Sequence, residues 1–267
     1  MSVGIISILT AVCMILSGCM QKAGTVPQEK QDVEPEKVMY SDVLILAETY
    51  PHNPSSFTQG LFFYDGKMYE STGRYGKSKL YRDVDIKTGK AESEFAFRDD
   101  IFAEGSVVYK DRLYVLTYKE NKVLIFDPET IEHTDTLDYP RQGWGLTSDG
   151  EYLIASDGTS ELYYMDEKLN VIKNLTVKNC GREVKNINEL EYIGGEIWAN
   201  VWMSDEILII DPQNGNVKKI IDFSGIYNHL DDNDPDNVLN GIAYNAESGK
   251  LCITGKCWDR VFVFELK

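Results

Sequence analysis

Phe57-Thr58-Gln59-Gly60-Leu61-Phe62-Phe63-Tyr64-Asp65-Gly66-Lys67-Met68-Tyr69-Glu70-Ser71-Thr72-Gly73 reads as two short strands joined at Asp65-Gly66. An Asp-Gly pair between apolar runs is a strong hairpin signal, because both central residues of a type I′ turn need positive φ. The pattern recurs. Aligned on Gln59-Gly60, the chain returns to a related pair at Glu104-Gly105, Trp144-Gly145, Asn188-Glu189 and Asn240-Gly241, at spacings of 45, 40, 44 and 52 residues. Each pair opens an apolar run that ends in a turn: Asp65-Gly66, Lys110-Asp111, Asp149-Gly150, Gly194-Gly195 and Glu247-Ser248-Gly249.

A second strand-like run follows each turn. A third run then ends in an acid, at Asp85, Asp127, Asp166, Asp211 and Glu265. The first four copies continue into a fourth run. Repeats of about 45 residues with four strands apiece describe a β-propeller. Five copies therefore predict an all-β fold, a five-bladed β-propeller. The fifth copy reaches Lys267 without a fourth strand, and Asp42–Glu48 is available to supply it. The last blade is then completed by an N-terminal strand, which closes the ring and removes an open sheet edge.

Outside the repeats the chain changes character. Val3–Leu16 is apolar, of signal-peptide length and short for a membrane span. It leads into Leu16-Ser17-Gly18-Cys19, which resembles a bacterial lipobox with Cys19 as the lipidated residue, although no Lys or Arg precedes the apolar run. Residues 1–19 are read as a lipoprotein-type signal segment, 20–40 as a flexible polar linker and 41–267 as the propeller domain. A cleaved signal or a short anchor are the other readings. All three place the domain outside the cytoplasm; the lipobox places it at the bacterial cell envelope, held to the membrane by lipid.

The net charge of −16 argues against nucleic acid, whose phosphates demand the opposite sign. His52, His133 and His229 form no zinc motif, and no phosphate loop, dinucleotide fingerprint or nucleophile elbow appears, so no cofactor and no metal are expected. The acid-rich stretch Asp231–Asp236 offers oxygen ligands of the kind calcium takes, but it lacks EF-hand spacing and reads as a solvated loop. Cys180, Cys252 and Cys257 are an odd number beyond the signal and lipobox cysteines, and sequence does not pair them.

In a propeller the innermost strand of each blade lines the axial channel, so equivalent positions form one ring. The first ring is Gln59, Glu104, Trp144, Asn188 and Asn240. The second, just after each second strand, is Gly73, Tyr118, Asp157, Trp202 and Lys256. Amides, indoles, a carboxylate and a cation around one mouth suit a polar ligand. The alternative is that these residues only seal the channel by hydrogen bonds between blades.

The residues Phe57-Thr58-Gln59-Gly60-Leu61, Tyr69-Glu70-Ser71-Thr72-Gly73 with Tyr75-Gly76, Phe102 with Glu104-Gly105, Asn188-Glu189-Leu190-Glu191, Ala199-Asn200-Val201-Trp202, Leu239-Asn240-Gly241-Ile242-Ala243 and Thr254-Gly255-Lys256 with Trp258 resemble the plant and bacterial glutaminyl-peptide cyclotransferases. The resemblance runs from about Ser41 to Phe264. It implies a five-bladed propeller that turns the N-terminal glutamine of peptides into pyroglutamate and releases ammonia, without a catalytic zinc. It implies Glu104 as the acid/base carboxylate, with Gln59, Asn188, Trp144, Trp202 and Lys256 as pocket residues and Phe57 and Phe102 as an apolar wall. Where the family usually has tryptophan after Leu116-Thr117, this chain has Tyr118.

Glu104 is the only acid of the first ring, so it is assigned the proton shuttle. Lys256, with an amide donor from Asn188 or Gln59, is assigned to the developing oxyanion. Peptides with N-terminal glutamine are the expected partners, and a monomer is expected. The alternative from another class is a non-catalytic propeller that binds a peptide or saccharide at the envelope.

Overall fold

Thr58–Tyr64 and Lys67–Thr72 pair antiparallel around Asp65 and Gly66, whose φ angles of 49° and 71° are the left-handed pair the turn demands. The same pair of positive φ angles recurs at Lys110-Asp111 and Gly194-Gly195. The computed structural model describes Met1, residues 34–227 and residues 234–267. The signal segment, Cys19, most of the linker and residues 231–233 of the acid-rich loop lie outside the described residues.

Five antiparallel sheets follow in chain order. Blade 1 continues with Lys79–Asp85 and Lys90–Ala96; blade 2 is Ala103–Tyr109, Arg112–Thr117, Lys122–Phe126 and His133–Asp138. Blade 3 is Leu146–Ser148, Leu153–Ser156, Glu161–Met165 and Val171–Thr176; blade 4 is Ile187–Ile193, Glu196–Val201, Glu206–Ile210 and Val217–Asp222. Blade 5 is Leu239–Asn245, Lys250–Gly255 and Arg260–Leu266, completed by Leu44–Pro51 from the N-terminal side. The inner strands touch in cyclic order, blade 5 returning to blade 1, so the sheets form a closed five-bladed propeller. There is no single core. Five apolar clusters each fill one gap between neighbouring blades, with Leu61 and Val261 in the gap that joins the ends of the ring.

The closing strand runs antiparallel to the last one, from Leu44 opposite Leu266 to Pro51 opposite Arg260. It begins two residues later than Asp42, because Tyr40–Val43 form a helical turn. Beyond it the seam is tied by side chains. His52 places Nδ1 2.9 Å from the Trp258 carbonyl oxygen and Nε2 3.1 Å from a carboxyl oxygen of Glu70. Burial disfavours its charge, but Glu70 and that carbonyl outweigh the penalty and raise its pKa. Asn240 donates to the Thr58 carbonyl at 2.8 Å across the same seam.

One stretch differs from the linker expectation. Glu36–Met39 lies parallel to Val217–Asp222 and gives blade 4 a fifth strand. Val38 packs on the cluster between blades 4 and 5, and Lys37 reaches Glu206 (2.6 Å) and Asp222 (3.0 Å). Pairing along a sheet edge is a backbone interaction, so a polar segment can be ordered by it with little apolar burial of its own.

The small residue after each first-ring position has a steric cause. A Cβ at Gly60 would lie 2.6 Å from the Ser106 nitrogen, at Gly105 2.5 Å from the Trp144 oxygen, and at Gly145 2.0 Å from the Asn188 oxygen. Each blade presses its neighbour's backbone against that position. Blade 4 carries Glu189 there instead. Its carboxyl accepts from the backbone N–H of Ile242 in blade 5 (3.0 Å) and of Leu61 in blade 1 (3.3 Å). Two residues on in the same strand, Glu191 accepts from the Tyr244 N–H at 3.0 Å.

Candidate active site

The first strand of four blades is irregular at the ring residue. Pairing skips between Thr58 and Gly60, Ala103 and Ser106, Ile187 and Leu190, and Leu239 and Ile242. Gln59, Glu104, Asn188 and Asn240 therefore sit in β-bulges, which bend a strand and re-aim the side chain. In blade 3 Trp144 precedes the first strand altogether. Backbone ties hold these irregular segments: Ser71 donates to the Glu104 carbonyl (2.6 Å), and Ser156 to the Asn188 carbonyl (2.8 Å).

The result is one cavity of about 300 Å³, lined by Phe57, Gln59, Arg74, Phe102, Glu104, Tyr118, Trp144, Asn188, Trp202, Asp236 and Lys256. All nine residues singled out in the sequence are in that lining. Three ring positions are not. Asn240 lies beneath the floor and donates to Gln59 Oε1 at 3.3 Å, which leaves the Gln59 amide nitrogen for the cavity. Gly73 is small because a Cβ there would sit 2.2 Å from the Phe102 ring. Asp157 caps its own loop, accepting from the Thr159 nitrogen and the Tyr163 hydroxyl.

Two lining residues fall outside the reading by repeats. Arg74 directly follows second-ring Gly73. Asp236 lies in the insertion that stretches the last spacing to 52 residues. A larger cleft, of about 550 Å³, lies at the edge of blade 1 against Asn53 and Ser56, away from the rings.

The floor is polar and buried. Gln59, Glu104, Asn188 and Lys256 are each under 5% exposed. The walls are aromatic. Trp144 and Trp202 meet edge to face at 5.9 Å between centroids, and Phe57 meets Phe102 in the same way at 6.2 Å. Tyr118 flanks Phe102 at 5.5 Å, and Tyr75 holds Phe102 from behind while its hydroxyl donates to Glu120 at 2.8 Å. Lys256 Nζ stands 4.9 Å from the centre of the Phe57 ring, a cation–π contact.

Among the described residues no protein group hydrogen-bonds the Glu104 carboxyl oxygens, which face the cavity. Burial pushes its pKa well above the usual carboxylate range; Lys256 opposes the shift and Glu120 adds to it. Burial lowers the pKa of Lys256, and Glu104 opposes that. The two groups therefore sit closer in proton affinity than a glutamate and a lysine do in water. Among the described residues no cluster of three or more His, Cys, Asp or Glu could hold a metal ion. Asp234 and Asp236 of the acid-rich loop face Arg74 and the cavity. Among the described residues Cys180, at the surface, and Cys252, buried, are not joined to each other.

A closed five-bladed propeller with a buried carboxyl, two amides and a cation under aromatic walls defines a class of ligand-processing propeller. The chain belongs to the glutamine cyclotransferase family, whose model matches residues 12–266. A glutaminyl-peptide cyclotransferase of Arabidopsis thaliana is 38% identical over 232 residues, covering 85% of this chain and 72% of its own. The crystal structure of Myxococcus xanthus glutaminyl cyclase superposes with a TM-score of 0.80 at 33% identity, covering 88% of this chain and 99% of its own.

Proposed function

We propose that this protein is a glutaminyl-peptide cyclotransferase, which converts the N-terminal glutamine of peptides to pyroglutamate and releases ammonia. One observation carries the reading: at the centre of a family member's cavity stands a buried carboxyl, Glu104, that no protein group among the described residues hydrogen-bonds. A carboxyl held in that state costs stability unless a ligand or a proton completes it.

In the reaction the α-amine nitrogen bonds to the side-chain amide carbon, and the bond from that carbon to the amide nitrogen breaks. The amine loses a proton and the departing nitrogen gains one. Glu104 takes the first proton and returns it in the second step. Its raised pKa brings it toward that of an α-amine, ordinarily about 8, which makes both transfers nearly balanced. Lys256 and the side-chain amides of Gln59 and Asn188 supply donors to the oxyanion of the tetrahedral intermediate. Phe57, Phe102, Tyr118, Trp144 and Trp202 hold the side chain folded onto its own amine, and positioning is a large term for a ring closure.

Every one of these groups comes from one chain, which supports action as a monomer. The lipobox ending at Cys19 supports a lipid anchor at the cell envelope; loss of membrane association in Cys19→Ser is the expected sign of it. The catalytic reading is tested by ammonia release from glutaminyl-glycine. Sustained turnover is expected, and its absence from well-folded protein overturns the reading.

A further inference from the structure

The cavity has a depth gradient. Its floor groups are almost fully buried, whereas Arg74 and Asp236 are partly exposed. They mark the mouth. If a glutaminyl residue occupies the floor, the rest of the peptide leaves through this mouth, and the first groups past the glutamine meet these side chains.

Arg74 is the cation of that mouth, and its placement is constrained on three sides. Its guanidinium carbon lies 4.2 Å from the centre of the Phe57 ring. Its Nη2 donates to Asp234 at 2.5 Å and to Asn237 at 3.4 Å. Its backbone is held at φ 84°, a left-handed setting unfavourable to a bulky residue, while its carbonyl accepts from Lys77 N–H and the Ser78 hydroxyl at 3.0 Å. The hydrogen bonds recorded for the guanidinium among the described residues all leave from Nη2. About a third of the side chain is exposed. Nη2, the nitrogen common to both bidentate edges of the guanidinium, is thus spent on fixing the group, and Nη1 and Nε keep their N–H groups for a ligand at the mouth.

We infer that Arg74 reads the acceptor groups immediately downstream of the substrate glutamine and makes the enzyme favour a carboxylate there. This rests on the cyclotransferase reading and adds a determinant of substrate choice to it. A guanidinium N–H makes a charge-assisted hydrogen bond to a carboxylate, roughly twice as strong as one to an uncharged amide oxygen. Glutaminyl dipeptides with a free C-terminus present a carboxylate one residue past the glutamine. The same dipeptides capped as amides, and the interior of longer chains, do not. The ion pair with Asp234, the negative charge of Asp236 at the same mouth and the partial exposure of Arg74 keep the effect modest, on the order of fivefold in kcat/KM.

The experiment compares glutaminyl-glycine with glutaminyl-glycinamide on the full chain, by ammonia release at fixed ionic strength. The wild-type ratio of kcat/KM, acid over amide, is expected near five, and a ratio of one or below overturns the proposal before any variant is made. In Arg74→Gln the ratio is expected to fall to about one, whatever happens to the two rates in common; Arg74→Lys, which keeps the charge on a more flexible stem, is expected between the two. An unchanged ratio in Arg74→Gln assigns the preference to another group and overturns the proposal while leaving the cyclotransferase reading standing. Failure of both peptides to release ammonia overturns that reading instead.

Discussion

Glu104 and Glu189 are both buried glutamates at the centre of the ring, and burial raises the pKa of both well above the usual range. By that measure they are alike. Their surroundings separate them. Glu189 accepts backbone N–H groups from blade 5 and blade 1, so its oxygens are spent on holding three blades together. Glu104 has a carboxyl that faces a cavity, with no protein donor on it among the described residues. A perturbed proton affinity marks burial; lone pairs left open toward a cavity mark chemistry.

The comparison is broken most directly at Glu104. Glu104→Gln is expected to lower kcat for ammonia release by about 10²–10⁴-fold, with a melting temperature equal to or above wild type. The mirror experiment is Glu189→Ala. It strands two buried N–H groups and is expected to cost about 2–5 kcal/mol in denaturant unfolding, while the folded protein keeps turnover near wild type. A stability loss at Glu104 with a turnover loss at Glu189 would reverse the two assignments.

A smaller effect sharpens the electrostatics. Lys256 favours the ionised form of Glu104 and so holds its pKa down. Lys256→Met removes that cation, and the acid limb of kcat/KM is expected to move to higher pH as well as losing height. An unmoved limb would assign it to the substrate rather than to Glu104. The smallest effect lies at Glu191, where burial lifts the carboxyl from near 4.5 to about 8. The folded state then holds a proton that the unfolded chain releases. This contributes stability below the unfolded value and loses it as pH rises toward 8. Glu191→Gln is expected to flatten the decline in stability measured between about pH 5 and 8, by up to one proton in slope.

The ring itself was legible because the repeats share a phase. Gln59, Glu104, Trp144 and Asn188 occupy one place in successive copies, and the closed propeller turns that place into neighbourhood. The bulges that aim these side chains were not legible, since a bulge is a difference in pairing between two strands and leaves only the following glycine as a trace. Asn240, Gly73 and Asp157 share the phase yet line nothing, because phase assigns a position and not a direction. Arg74 and Asp236 escaped because they lie just past the repeat and inside an insertion. The unequal last spacing was the available signal for Asp236. Glu36–Met39 escaped because its order comes from backbone pairing along an edge.

The seam between blades 5 and 1 has one more consequence. Residue 44 meets residue 266, so the ring closes only when nearly the whole chain is present, and contacts this distant in sequence form slowly. The cavity straddles the same seam, with Gln59 and Phe57 on one side and Lys256 on the other. Any molecule gripped by both sides is a clasp on the closure, because it binds the shut ring and not the open one. Occupancy of the cavity and integrity of the ring are therefore one equilibrium viewed from two places: a peptide held at the axis resists the parting of strands at the rim.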